Sequence, residues 1–300
     1  MIHLGPGVVD PEVSGREGMK LVSFRWQDKD SYGAVAEGGV IDLGPRLGAR
    51  HPDLKSVLAA GALDEVTDAT KGQTADVGLD DITFLPVIPN PSKILCVGLN
   101  YVAHRDEAKR KETDHPAIFT RFADSQVGHE QPVVRPRVSD RLDFEGELAV
   151  IIGKAGRYIE TEDALGHIAG YSCYLDASVR DWQRHTGQWT AGKNFPATGG
   201  FGPWMVTADE IPDPSRLTLT TRLNGKLMQQ ADTDLLIFTL PVIIHYISSF
   251  TELRPGDVIA TGTPGGVGSR RDPPVYMKPG DRIEVDITGI GTLAHPIAGE

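Results

Sequence analysis

The segment Asp143-Phe144-Glu145-Gly146-Glu147 runs straight into the apolar stretch Leu148-Ala149-Val150-Ile151-Ile152, which Gly153 closes. A short run rich in β-branched residues and stopped by glycine reads as a buried strand. Side chains two apart on a strand share a face. Glu145 and Glu147 therefore project side by side where the strand begins, with Asp143 a candidate third. Carboxylates so placed repel one another unless a positive group lies between them, and a hard divalent cation takes oxygen ligands. Taken alone, such a pair also matches the solvated edge of a half-buried strand. Its company along the chain shifts the balance toward an ion.

The chain has 300 residues, enough for a large catalytic domain and a smaller one. Its formal net charge of −11 argues against nucleic acid, whose phosphates need a basic face. An anionic substrate would need a local cluster of cations. Cys96 and Cys173 lie far apart in apolar runs and read as reduced, buried thiols of a cytoplasmic protein. No stretch has the apolar length to span a membrane, and the N-terminus lacks the apolar core of a signal peptide.

Residues 1–18 carry Gly, Pro and charges without period and read as a loose tail. Residues 19–26 form the opening strand, and short strands follow over 32–43 around Gly38-Gly39. Asp53 is a good N-cap for a helix to Ala60, with Gly61 its stop. Residues 61–80 are polar and weakly patterned. Pro86, Pro89 and Pro91 make a rigid connector and place a domain boundary at 90/91. A buried strand over 93–98 leads to a helix over 102–111, on which His104 and Glu107 are neighbours. A carboxylate beside an imidazole fixes its tautomer and raises its basicity. The charges around them equally fit a solvated helix face.

Further on, residues 119–134 are β-prone and rich in turns, and Thr161 can cap a helix through Ile168. The strand 170–176 ends on Asp176, and a helical turn brings Arg180 and Gln183 onto one face nearby. Lys193, between Gly192 and Asn194-Phe195-Pro196, reads as held in a loop. Asn224-Gly225 is a hairpin turn after the strand 217–223. Residues 235–250 form a mostly apolar helix interrupted early by Pro241, and 282–287 and 291–297 are strands. Strands outnumber helices, so the class is α+β.

The glycine-rich run 261–268 lacks the Gly-Lys-Ser/Thr of a P-loop and the spacing of a dinucleotide site. It offers backbone N–H groups and threonine hydroxyls to an anion. Neither H-E-x-x-H nor a zinc spacing of Cys and His occurs, and there is no G-x-S-x-G elbow.

Several motifs in order resemble the fumarylacetoacetate hydrolase family over about residues 91–300. They are Gly98-Leu99-Asn100-Tyr101 with His104 and Glu107, Asp143 to Glu147, Asp176 with Arg180-Asp181-Trp182-Gln183, Gly192-Lys193, Gly202-Pro203-Trp204, Pro255 to Ile259, and Thr261-Gly262-Thr263-Pro264 with Gly266-Val267-Gly268. Within the family the chain resembles the bacterial acylpyruvate or fumarylpyruvate hydrolase and 2-hydroxyhepta-2,4-diene-1,7-dioate isomerase type. The resemblance implies an α+β fold with a strand-rich catalytic domain (a mixed β-sandwich roll) over 91–300, beside a small N-terminal α/β domain over 19–90. It also implies a homodimer, and Mg²⁺ or Mn²⁺ held by Glu145, Glu147 and Asp176. His104 with Glu107 would be the catalytic pair, Lys193 a catalytic and substrate-holding cation, and Arg180, Gln183 and Thr263 further substrate contacts. Three features depart from the family pattern: Leu175 and Ala177 flank Asp176, Asn194-Phe195-Pro196 follows Lys193, and Arg121-Phe122 replaces Lys-Pro.

The activity so implied is hydrolysis of a carbon–carbon bond in a small anionic 1,3-diketo acid, in the catabolism of aromatic compounds or sugar acids. Decarboxylation of a 2-oxo acid such as oxaloacetate, or isomerisation of a muconate, would use the same apparatus. A metal-binding protein without catalysis is the remaining alternative, which the intact His104–Glu107 pair disfavours.

Overall fold

The computed structural model describes residues 18–109 and 111–300. But for Gly18, the tail expected over 1–18 lies outside them. An eleven-stranded mixed sheet forms one layer and a five-stranded sheet the other. The large sheet runs Gly39–Asp42, Lys29–Ala36, Lys20–Trp26, Gly199–Thr207, Ile168–Asp176, Gly146–Ile152, Val258–Ala260, Ile94–Gly98, Ala117–Arg121, with two short strands beside this path. The α+β class and the strand-rich roll are as the sequence led us to expect. The strands of residues 20–42 add to this same sheet by pairing Lys20 and Leu21 with Val206 and Met205.

The strand Gly146–Ile152 is buried along its whole length. Leu148, Val150 and Ile152 face a core shared with Leu219, Val285 and Leu293 of the small sheet and with Ile243 and Ile247. Ala149 and Ile151 face a second core with Leu21, Leu54 and Val57. Covering on both faces explains why the run is apolar throughout and does not alternate. Gly146 lets the small sheet come close, since a Cβ there would stand 2.2 Å from Thr221 Oγ1.

Several local expectations need correction. Residues 61–80 contain the helix Leu63–Thr70, which buries only Val66, so its periodic signal is faint. The helix carrying His104 is shorter, Val102–Glu107. The segment after Thr161 makes only a 3₁₀ turn, Ala164–His167. Pro241 does not interrupt a helix but lies in the first turn of Leu240–Phe250, where its missing N–H is harmless. Lys193 ends a one-turn helix, Thr190–Lys193, and is not in a loop. The Asp53 cap is present as a full capping box on Leu54–Ala59. Asn224 and Gly225 both take positive φ between the paired strands Thr218–Leu223 and Lys226–Asp232, as a type I′ hairpin turn requires. Cys96 and Cys173 are free and buried. No helix among the described residues is long and apolar enough to cross a membrane.

Candidate metal centre and cavity

Antiparallel pairing of Gly146 with Leu175 sets Asp176 across from Glu145, and Asp176 N–H donates to Glu145 O at 2.8 Å. Residues facing each other across a ladder share a face. Glu145, Glu147 and Asp176 are thus gathered, all buried, with one oxygen from each lying within 4.8 Å of the others. Asp143 does not join them. It sits on a separate two-residue strand, where Oδ1 accepts from Phe144 and Gly268 N–H, and Oδ2 accepts from Ser269 N–H and Arg180 Nε. The chain leaves strand geometry between Leu142–Asp143 and Gly146–Ile152, which breaks the two-residue period before it reaches Asp143.

Three buried cations interleave with these acids. Lys193 Nζ donates to Glu145 Oε2 at 2.6 Å and to Asp176 Oδ2, and lies 4.7 Å from the centre of the Phe119 ring. Arg121 Nη1 donates to Asp176 Oδ1 at 2.6 Å. Arg180 Nε donates to Asp143 Oδ2 at 2.7 Å and Nη1 to Gln183 Oε1 at 3.0 Å. Arg180 Nη2 is 2.6 Å from Glu145 Oε1 but is not aligned for a hydrogen bond, so this is a contact of charges only. Burial works against charge on Lys193, but Asp176 and Glu145 outweigh it and raise its pKa. Burial alone would raise Glu145, yet Arg180, Lys193 and His104 hold its carboxyl well below the usual range. Glu147 goes the other way. Burial, then the adjacent Asp176 and Glu145 carboxylates, push it well above its ordinary value. Its one aligned donor is Gly262 N–H, at 2.9 Å from Oε2.

This donor set fits a hard divalent cation. All its ligand atoms are oxygens, each with lone-pair capacity beyond the contact it already makes. The crowding that drives Glu147 toward its neutral form is what a cation among the three would relieve.

His104 lies within the short helix and Glu107 ends it, with His104 Nδ1 2.7 Å from Glu107 Oε1. Glu107 Oε2 accepts from Gly266 N–H at 2.9 Å. Glu145, Glu147 and His104 open onto one cavity of about 720 Å³, whose walls include Val97, Phe119, Trp189, Gln183 and Thr263. Thr263 Oγ1 is held by Gln229 Nε2 at 2.8 Å. Apart from Asp143, which is turned to Arg180 and the backbone, every candidate residue read from the sequence borders this cavity or, in the case of Asp176 and Glu107, supports one that does.

Three supporting residues escaped the sequence reading. Arg121 was noticed only as a departure from a motif. Gln229 ties Gly146 N–H (3.0 Å) to Thr263 and Pro264 O (2.9 Å), and nothing in its strand marks it. Asn100 exchanges hydrogen bonds with Phe238 and donates to Thr261 O at 2.8 Å, which fixes the start of the glycine-rich loop. Its place in a motif was the only signal.

A strand-rich roll with three acids at the facing ends of two neighbouring strands, and a histidine–glutamate pair beside the same cavity, defines a class of enzymes built on a carboxylate cluster. The chain belongs to the fumarylacetoacetate hydrolase family: residues 93–298 match the model for the fumarylacetoacetate (FAA) hydrolase C-terminal domain. It is 38% identical over 288 residues to oxaloacetate tautomerase fahd2, mitochondrial, of Xenopus laevis, which covers 93% of this chain and 90% of that protein. The fumarylacetoacetate hydrolase of Exiguobacterium antarcticum superposes with a TM-score of 0.80 at 34% identity, over 94% of this chain and 100% of the other. Maleylpyruvate hydrolase from Sphingobium sp. SYK-6, solved in complex with manganese (II) ion and pyruvate, gives 0.79 at 30% identity, over 94% and 99%.

Proposed function

We propose that this chain is a divalent-metal-dependent enzyme for enolisable 2-oxo acids, and that it interconverts the keto and enol forms of oxaloacetate or a close analogue. One observation carries this: an oriented histidine and two members of an all-carboxylate triad line one cavity. Enolisation needs an electrophile at the 2-oxo oxygen and a base at C3, and little else. A Mg²⁺ or Mn²⁺ ion held by Glu145, Glu147 and Asp176 would supply the Lewis acidity that polarises the carbonyl.

The chain's own groups do the rest. Glu107 accepts the proton of His104 Nδ1, which leaves the Nε2 lone pair to take the C3 proton and return it. Gly266 N–H holds the second oxygen of Glu107 and so fixes the pair. Lys193 and Arg180 keep Glu145 ionised, and Lys193 stays a fixed cation, not a base. Val97, Phe119 and Trp189 make the wall apolar, which strengthens each of these charges. The relatives' names support oxaloacetate as the substrate.

Hydrolysis of an acylpyruvate is the second reading. The cavity of about 720 Å³ has room for more than a four-carbon acid, and one solved relative is a maleylpyruvate hydrolase. It requires His104 Nε2 to activate a water as well. Loss of enol absorbance from oxaloacetate, measured with Mg²⁺ or Mn²⁺ beside acid release from acetopyruvate and fumarylpyruvate, separates the two. Oxaloacetate equilibration no faster than in buffer, with cleavage of an acylpyruvate, would replace the first reading by the second. No turnover of any of them would leave a binding protein.

A further inference from the structure

The two cations expected to draw in the substrate's carboxylate are engaged by protein acids, Lys193 by Glu145 and Asp176 and Arg180 by Asp143 and Glu145. Yet the cavity has a second basic wall. Arg184 and Arg270 line it, Arg184 just after the turn that carries Arg180, and Arg270 in the segment after the glycine-rich loop. Lys109 and Lys111 border the same space. Among the described residues the only acids in the lining are Glu145 and Glu147, of the triad. Among the described residues neither Arg184 nor Arg270 has a carboxylate within ion-pair distance. Partial burial, then the charges of Arg270 and Arg180, lower the pKa of Arg184, and the smaller opposing effects of Tyr276 and of Asp143, which Arg180 already engages, do not offset them.

Like charges held together in a partly enclosed space favour an anion between them. In a protein of net charge −11 this is a local reversal of sign. Arginine also presents paired donors that match a carboxylate. We infer that Arg184 and Arg270 receive the second carboxylate of the substrate, so that the enzyme selects dicarboxylic over monocarboxylic 2-oxo acids. This rests on the reading of the triad as the seat of the 2-oxo end.

The two claims separate in one calorimetric experiment on the Mn²⁺-loaded protein with three ligands. Oxalate probes the 2-oxo end alone. The ligands 2-oxoglutarate and 2-oxopentanoate have equal chain length and differ only in the distal carboxylate. Wild type should bind 2-oxoglutarate at least tenfold more tightly than 2-oxopentanoate. In R184M/R270M that ratio should fall to within twofold of unity, while oxalate affinity and thermal stability stay unchanged, since both arginines are exposed. Oxalate binding with an undiminished ratio in the double variant overturns the assignment of the two arginines and leaves the 2-oxo site standing. Failure of oxalate to bind wild type removes the site reading itself, and this inference with it.

Discussion

Arg121 Nη1 lies 2.6 Å from Asp176 Oδ1, and both side chains are fully buried. The same guanidinium donates to Ala177 O at 3.0 Å and Thr198 Oγ1 at 2.7 Å, so it binds one edge of the acid cluster to the sheet behind it. Counted formally, Asp143, Glu145, Glu147 and Asp176 give four negative charges and Arg121, Arg180 and Lys193 three positive. The cluster is one negative charge from neutrality, not three as the ligands alone suggest. Adding a divalent cation makes it net positive, which suits an anionic substrate.

Replacing Arg121 by methionine strands Asp176 beside Lys193 alone. Breaking a buried pair on one side costs about 3–5 kcal/mol. Chemical denaturation of R121M should show a loss of that size, with a smaller one for R121K. A loss under about 1 kcal/mol would show that Asp176 does not depend on Arg121.

Metal uptake should expel a proton. Because burial and its acidic neighbours raise the pKa of Glu147, a proton competes with an incoming cation for that carboxylate. Affinity for Mg²⁺ or Mn²⁺ should therefore rise with pH, and titration in two buffers of different ionisation heat should report proton release. E147Q should bind the ion far more weakly and release none. Equal heats in both buffers for wild type would contradict this.

The dyad should be separable from binding. His104→Ala should lower turnover by about 10²–10⁴, and Glu107→Gln by about 10–100, with oxalate affinity within twofold of wild type in both. A variant of His104 with full activity would remove it from the mechanism.

His295 should shape stability in acid. It is buried, its Nδ1 is 2.8 Å from Gln131 O, and Nε2 has no partner. Burial lowers its pKa from 6.5 to about 4. The unfolded chain takes up this proton before the folded one does. The contribution is thus complete above about pH 6.5 and is lost as pH falls toward 4, about 3 kcal/mol in all. Denaturation midpoints of wild type should fall more steeply across that window than those of H295M. Parallel slopes would show that His295 is not responsible.

The pattern at Glu145 and Glu147 was legible because a strand's two-residue period survives even where hydrogen bonding has not yet begun. Asp176 was legible as an acid at a strand's end, and the Asn-Gly turn by its own chemistry. Arg121 and Gln229 were not, since they meet their partners across 55 and 83 residues, and neither residue type signals a buried role. Arg184 and Arg270 could be seen in the sequence, but only the folded cavity shows that no acid answers them. The helix Leu63–Thr70 escaped because a single buried valine makes no period.

The glycine-rich loop reaches both halves of the chemistry, through Gly262 N–H on Glu147 and Gly266 N–H on Glu107. Five residues of backbone, Gly262 to Gly266, thus act as a common ruler, setting how far the proton-carrying side stands from the electrophilic side. Inserting or deleting one residue there would change that separation without touching a ligand or the base. An engineer wishing to move this scaffold between shifting a proton and admitting a water has, in that short span, a single dial to turn.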